Sequence, residues 1–262
     1  MMDRLEIPVQ LLMVYFLIHL RFVGMMFTSS LFVAAGAPLP LRFLGAVLLT
    51  VIAAGTVRES LIPMILFENW ISISILALRE FLIGTLIGLL AGLPLFALQT
   101  AGEQIGMAMG LSMANAIDPM TQSQTSLVSQ IQFMVGLWFY FRWNGHLLMV
   151  QSVVESLRYI PLAKLSLIPA SEIAFGVWVQ GVFRLAMKMV IPYYCALLLA
   201  DVGLGFLART VPQMNVFILG LPLKVGLGLF VLMLALPLTV DLVHEQLERW
   251  IDFALKTALI WR

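Results

Sequence analysis

Apolar residues fall in long runs, at about Val9–Ala35, Leu41–Ala54, Ile71–Met113, Leu127–Phe141, Ile173–Ala200 and Val225–Val240. A helix needs about 20 apolar residues to span a bilayer, and several of these runs miss that length. Leu41–Ala54 and Leu127–Phe141 are short, whereas Ile71–Met113 as one straight helix would measure roughly 65 Å. A break is therefore expected at Gly92 and Pro94. Uneven lengths of this kind predict an all-α membrane protein built from helical hairpins with kinked helices, which lean on neighbours rather than crossing as independent spans. Residues 1–240 read as one membrane-embedded unit without internal repeats. The tail 241–262 differs, because Val243, Leu247, Trp250, Ile251, Ala254 and Ala258 share one helical face. Opposite them, Glu245 precedes Arg249 and Asp252 precedes Lys256 by one turn, the favourable order for ion pairs. That pattern predicts an amphipathic end helix.

The longest run ends in a polar hairpin, residues 101–126, rich in methionine, amide and hydroxyl groups and free of lysine and arginine. Polar backbone at membrane depth is tolerated only when packed in protein or lining an aqueous path, so the hairpin is the first functional candidate. Met107, Met109, Met113 and Met120 gather around it, and the unbranched thioether deforms to fill irregular space. Asn115 and Asp118-Pro119 supply turn chemistry, and Thr121–Ser126 offers hydrogen bonds without fixed charge. Core filling and an ordinary connecting loop are the plainer readings of the same residues.

Composition agrees with the pattern: 61% of the residues are hydrophobic, 11% are charged, and mean hydropathy is +1.02, far outside the range of soluble domains. A net charge of +1 points to neither a nucleic-acid partner nor a polybasic lipid anchor. Lys and Arg are spread over successive connections, so the positive-inside count gives no orientation. The first apolar run is too long for a signal peptide and holds His19 and Arg21, so it is expected to be retained. The one cysteine, Cys195, lies in an apolar run and is expected to be a small buried hydrophobe.

Two glycine ladders, Gly84, Gly88, Gly92 and then Gly102, Gly106, Gly110, place each set on one helix face at a spacing of four, where another backbone can approach closely. Glycine disfavours a helix by about 1 kcal/mol against alanine, so the spacing implies tight packing, within the chain or against other subunits. Arg79 and Glu80 lie inside an apolar run, where a central charge costs about 2.5–3.5 kcal/mol. Neighbours on a helix point roughly 100° apart, so each is expected to need its own partner. Inter-helix or inter-subunit pairing is favoured over a proton relay, and Asp201, Arg209, Arg184 and Lys188 raise the same question. Enzyme signatures are missing. His244 to Glu248 starts like a zinc helix but carries Glu248 where the second histidine belongs, and no phosphate-cradling loop or Gly-x-Ser-x-Gly elbow occurs. No catalytic, cofactor or metal site is expected.

Three stretches together resemble the FliR family of type III export-gate subunits, whose injectisome members are similar. They are Ala101–Met113 with Ile117-Asp118-Pro119, Asn144-Gly-His-Leu-Leu148, and Val211–Leu223. The resemblance runs from about Val9 to Val240. It implies a hetero-oligomeric export gate in the bacterial inner membrane at the flagellar basal body. FliP-like and FliQ-like subunits would surround the channel, FlhB-like and FlhA-like proteins would adjoin it, and unfolded flagellar protein would pass through. It also implies a FliP-like part followed by a FliQ-like hairpin, and a pore plug at Gly110, Met113, Asn115, Asp118, Pro119, Met120, Gln122 and Gln124. The loop after Pro119 is less glycine-rich than the family pattern, so the role attaches to the loop as a whole. A proton-coupled transporter of a small solute using Arg79, Glu80 and Asp201 is the competing reading, since transporters place ionisable groups in broken helices at the midplane.

Overall fold

The computed structural model describes residues 3–34, 36–55, 70–111, 126–160, 162, 175–211, 213 and 216–259. The helices are α1 (Asp3–Thr28), α2 (Ser30–Ala34), α3 (Leu39–Ala54), α4 (Trp70–Ala108), α5 (Leu127–Arg142), α6 (Gly145–Tyr159), α7 (Phe175–Thr210) and α8 (Val216–Leu259). No strand occurs among the described residues. Leu11–Thr28, Trp70–Ala108, Gly176–Thr210 and Leu219–Leu247 are each long and apolar enough to cross a membrane. The protein is an all-α membrane protein.

The chain forms two compact units. The first comprises Met1–Leu93, Asn144–Trp178 and Leu247–Arg262, and the second Pro94–Trp143 and Val179–Gln246. The expected break in the longest run is absent: α4 continues through Gly92 and Pro94 for 39 residues, roughly 58 Å at helical rise. Proline removes one donor and crowds one carbonyl, which a long apolar helix survives in a membrane protein because neighbouring groups satisfy what is freed. The division between the units nonetheless falls between Leu93 and Pro94. Pro192 in α7 and Pro222 and Pro237 in α8 are likewise interior. Residues Asp241–Leu259 continue α8, with Val243, Leu247 and Trp250 buried and Asp241, Glu245 and Arg249 exposed.

Local chemistry sets the remaining boundaries. The Ser126 hydroxyl accepts from the Ser129 N–H at 3.1 Å and caps α5. Asn144 takes the left-handed region at φ 56° immediately before α6. In the first unit α1 packs on α3 and α6, and Leu90, Trp178 and Trp250 form a cluster flanked by Leu86 and Leu93. In the second, Leu98 fills the space that Gly136 leaves on α5.

Burial separates the spans into two kinds. Half of the α1 window and 61% of the α4 window are buried, against 22% for α7 and for α8. The outward residues of α7 and α8 are still large and apolar, including Leu199, Phe206, Phe230, Met233 and Leu234. Cys195 belongs to this face and is exposed, contrary to expectation. In a membrane protein an apolar run marks contact with lipid or partner as readily as a core.

Candidate functional site

The first unit is organised around the crossing of α1 and α4. A methyl on Gly84 would overlap the carbonyl of Arg21, 2.7 Å from its carbon, and one on Gly88 would lie 2.9 Å from Met25 Cα. Gly24 answers from α1, where a methyl would meet Thr85 N at 2.8 Å. Gly92 faces Ser30, whose hydroxyl donates to its carbonyl at 3.0 Å. The Thr28 hydroxyl adds a second inter-helix bond, to the Thr85 carbonyl at 2.9 Å. Such closeness is the geometry that small residues permit between membrane helices.

One turn from Gly84, a charge cluster lies inside this unit. Arg21 from α1 is fully buried, as is Glu80 from α4. The Arg21 Nε donates to Glu80 Oε2 at 2.7 Å, and its Nη2 donates to the same oxygen. Its Nη1 donates to Ser156 Oγ on α6 at 2.9 Å. Arg79 reaches the other carboxylate oxygen, Nη1 to Oε1 at 3.4 Å. Glu80 thus has its main partner on another helix, in Arg21, while its neighbour Arg79 bends back to a longer contact with the same carboxylate. Charge-assisted bonds of this kind are the strong ones. Arg21 was the missing partner, and its solitary charge inside an apolar run was the available signal.

In the second unit the structure places the base of the polar hairpin. Leu111 N–H donates to Gly106 O at 3.0 Å and Gly110 N–H to Met107 O at 3.0 Å, with Gly110 at φ 82°. That bond pair and the left-handed glycine form a Schellman motif that ends α4. Gly102 and Gly106 lie against the start of α5: a methyl on Gly102 would sit 2.8 Å from Ser129 N, and one on Gly106 2.7 Å from Ser126 Cβ. Ser126 Oγ donates to Gly102 O at 3.1 Å, and Ser129 Oγ to Gln99 O at 3.0 Å. Met109 is fully buried against Gly228 of α8, where a methyl would lie 2.8 Å from its Cγ, while Met107 points outward. Met113, Asn115, Asp118, Pro119, Met120, Gln122 and Gln124 lie outside the described residues.

The other charges sit elsewhere. Asp201 on α7 pairs with Lys224 on α8, half-exposed. Arg209, Arg184 and Lys188 are exposed. His244 stacks on Trp143, ring centroids 4.5 Å apart, and His19 bonds Thr50 Oγ1 at 3.3 Å. Among the described residues no three His, Cys, Asp or Glu side chains gather as metal ligands would. An open apolar cleft of about 620 Å³ lies along α1, α3 and the start of α4, lined by Leu12, Phe16, His19, Thr50, Val51 and Trp70.

The profile of the bacterial export proteins, family 1, matches residues 12–250. The chain is 31% identical to the flagellar biosynthetic protein FliR of Bacillus subtilis over 91% of this chain and 92% of that protein. It is 27% identical to the FliR of Escherichia coli over 86% and 84%. Against the Yop proteins translocation protein T of Yersinia pestis it is 28% identical over 60% of each chain. With a profile match from α1 into the last turns of α8, the chain belongs to the bacterial export proteins, family 1.

Proposed function

We propose that this chain is a channel-forming subunit of the flagellar type III protein export gate in the bacterial inner membrane, at the basal body. Family membership makes it an integral membrane component of an export apparatus, working with other proteins of that apparatus. The observation that carries the finer reading is the near full-length match to FliR relatives. The apolar outward faces of α7 and α8 support it, because a hairpin so little covered by its own chain suits an assembly with other subunits. FliP-like and FliQ-like subunits beside it, FlhB-like and FlhA-like proteins nearby, and unfolded flagellar protein as cargo follow from the same resemblance. So does the division into a FliP-like part and a FliQ-like hairpin.

The segment from Gly110 to Gln124 is the plug in this reading. Support comes from its base: α4 is stopped by the Gly110 turn and fastened to Ser126 and Ser129, so the segment leaves from a fixed point. The competing transporter reading draws on buried Arg79 and Glu80. Against it, Glu80 is held by two guanidinium groups, and Asp201 is half-exposed beside Lys224. The test is to delete Asn115–Thr121 and reconstitute the assembled complex in vesicles. Leakage of small solutes is expected, and an assembled complex that stays tight would refute the plug. Purifying the tagged chain in mild detergent tests the assembly: FliP-like and FliQ-like companions are expected, and a lone solute-transporting monomer would overturn it.

A further inference from the structure

The core of the second unit holds one polar node that neither the family relation nor the export reading explains. Gln132 of α5 is 6% exposed, Tyr193 of α7 1% and Thr239 of α8 6%. All three line a cavity of about 10 Å³ walled otherwise by Leu98, Ile131, Val135, Leu232 and Leu236. Neither amide atom of Gln132 makes a well-aligned hydrogen bond to the protein, although the Tyr193 phenol lies close enough to interact with it as a hydrogen-bonding neighbour. Gly102 leaves the amide its room, since a methyl there would stand 3.0 Å from Oε1. The Thr239 hydroxyl gives its proton to Leu236 O at 2.7 Å, which leaves its oxygen free to accept.

We infer that this cavity is a binding site for one structural water molecule that bridges Gln132, Tyr193 and Thr239. Three arguments converge. The room matches the roughly 10–15 Å³ that a single water needs. A polar pair that touches without good alignment is better served by a water that bonds both groups. The donor and acceptor inventory also closes: the water accepts from the Gln132 amide or the Tyr193 phenol, and donates to Thr239 Oγ1 and Gln132 Oε1. Three partners is the number a buried water typically finds. An unsatisfied primary amide in an apolar bundle is unfavourable, so the site is occupied whenever α5, α7 and α8 are in register. The water thereby ties that register to a polar requirement.

The test begins with the unaltered protein. A structure of the assembled complex in a lipid nanodisc, at a resolution that reveals ordered water, is expected to show one peak about 2.7–3.2 Å from Gln132, Tyr193 and Thr239 oxygen or nitrogen atoms. A direct Gln132 to Tyr193 bond with no peak would overturn the site. The second measurement is a double-mutant cycle of Gln132→Met and Tyr193→Phe, read as thermal midpoints of the complex. Each single change is expected to lower the midpoint by about 2–4 °C, and the pair by clearly less than the sum, because both remove partners of one water. Additive shifts would refute a shared ligand. If Gln132→Met fails to assemble, Tyr193→Phe with Thr239→Val supplies the same cycle.

Discussion

Gly84→Ala tests how closely α1 and α4 must approach. Alanine should help α4 by about 1 kcal/mol as a helix residue, yet its methyl would overlap the Arg21 carbonyl and stand 2.7 Å from the carbonyl carbon. A carbon–carbon contact near 3.5 Å requires the helices to part by at least roughly 0.8 Å, and relieving the overlap with the Arg21 carbonyl oxygen takes more. No rotamer change relieves this, because the obstacle is backbone. Overpacking of that kind costs about 1–3 kcal/mol, which alone leaves a net loss of about 0–2 kcal/mol after the propensity gain. The structure adds a further penalty. Glu80 lies one turn before Gly84 on α4, and Arg21 is both the residue the methyl strikes and the partner that Glu80 holds.

Parting the helices therefore stretches a fully buried ion pair, whose rupture costs about 3–5 kcal/mol. The expected outcome is a destabilisation well beyond overpacking, read as a fall in the thermal midpoint and in the folded yield of the purified chain in detergent. Gly203→Ala is the control, since nothing lies within 4 Å of a methyl at that position. It should match or slightly exceed the parent. If Gly84→Ala behaves like Gly203→Ala, the coupling between glycine contact and charge cluster is wrong.

Glu80→Gln keeps the shape but leaves Arg21 and Arg79 without their carboxylate. It should destabilise the chain by several kcal/mol and reduce its recovery with partner subunits; normal assembly with loss only of proton-dependent transport would favour the relay reading. Ser126→Ala removes the cap of α5 and the bond to Gly102 O. A loss of about 1 kcal/mol is expected, and an unchanged midpoint would show the cap to be idle. Asp201→Asn breaks a half-exposed pair, so its effect on the isolated chain should stay below about 1 kcal/mol; a larger loss would mean that Asp201 is shielded from solvent.

What could be read from the residues follows from which interactions are periodic. The glycine spacing marks which face of α4 is open, because every fourth position recurs on one side of a helix. It carries no information about what arrives there. That Gly24 answers Gly84 and Gly88, and that Ser30 meets Gly92, depends on the register between two helices far apart in sequence. The same limit hid Arg21. A lone arginine in one apolar run and a lone acid in another are each costly, so their meeting is the economical solution, but only the crossing point decides that Glu80 rather than Asp201 is the acid. The expected break at Pro94 failed for a different reason. A length argument assumes one bilayer and one straight span, whereas α4 stays helical through Pro94, losing only the one backbone bond that proline cannot make, although the two packed units divide there. Cys195 differs from expectation for the converse reason, since apolar neighbours in sequence do not by themselves bury a residue. On α7 much of the apolar surface beyond the buried stripe faces outward, as a helix does where it is to meet lipid or another protein.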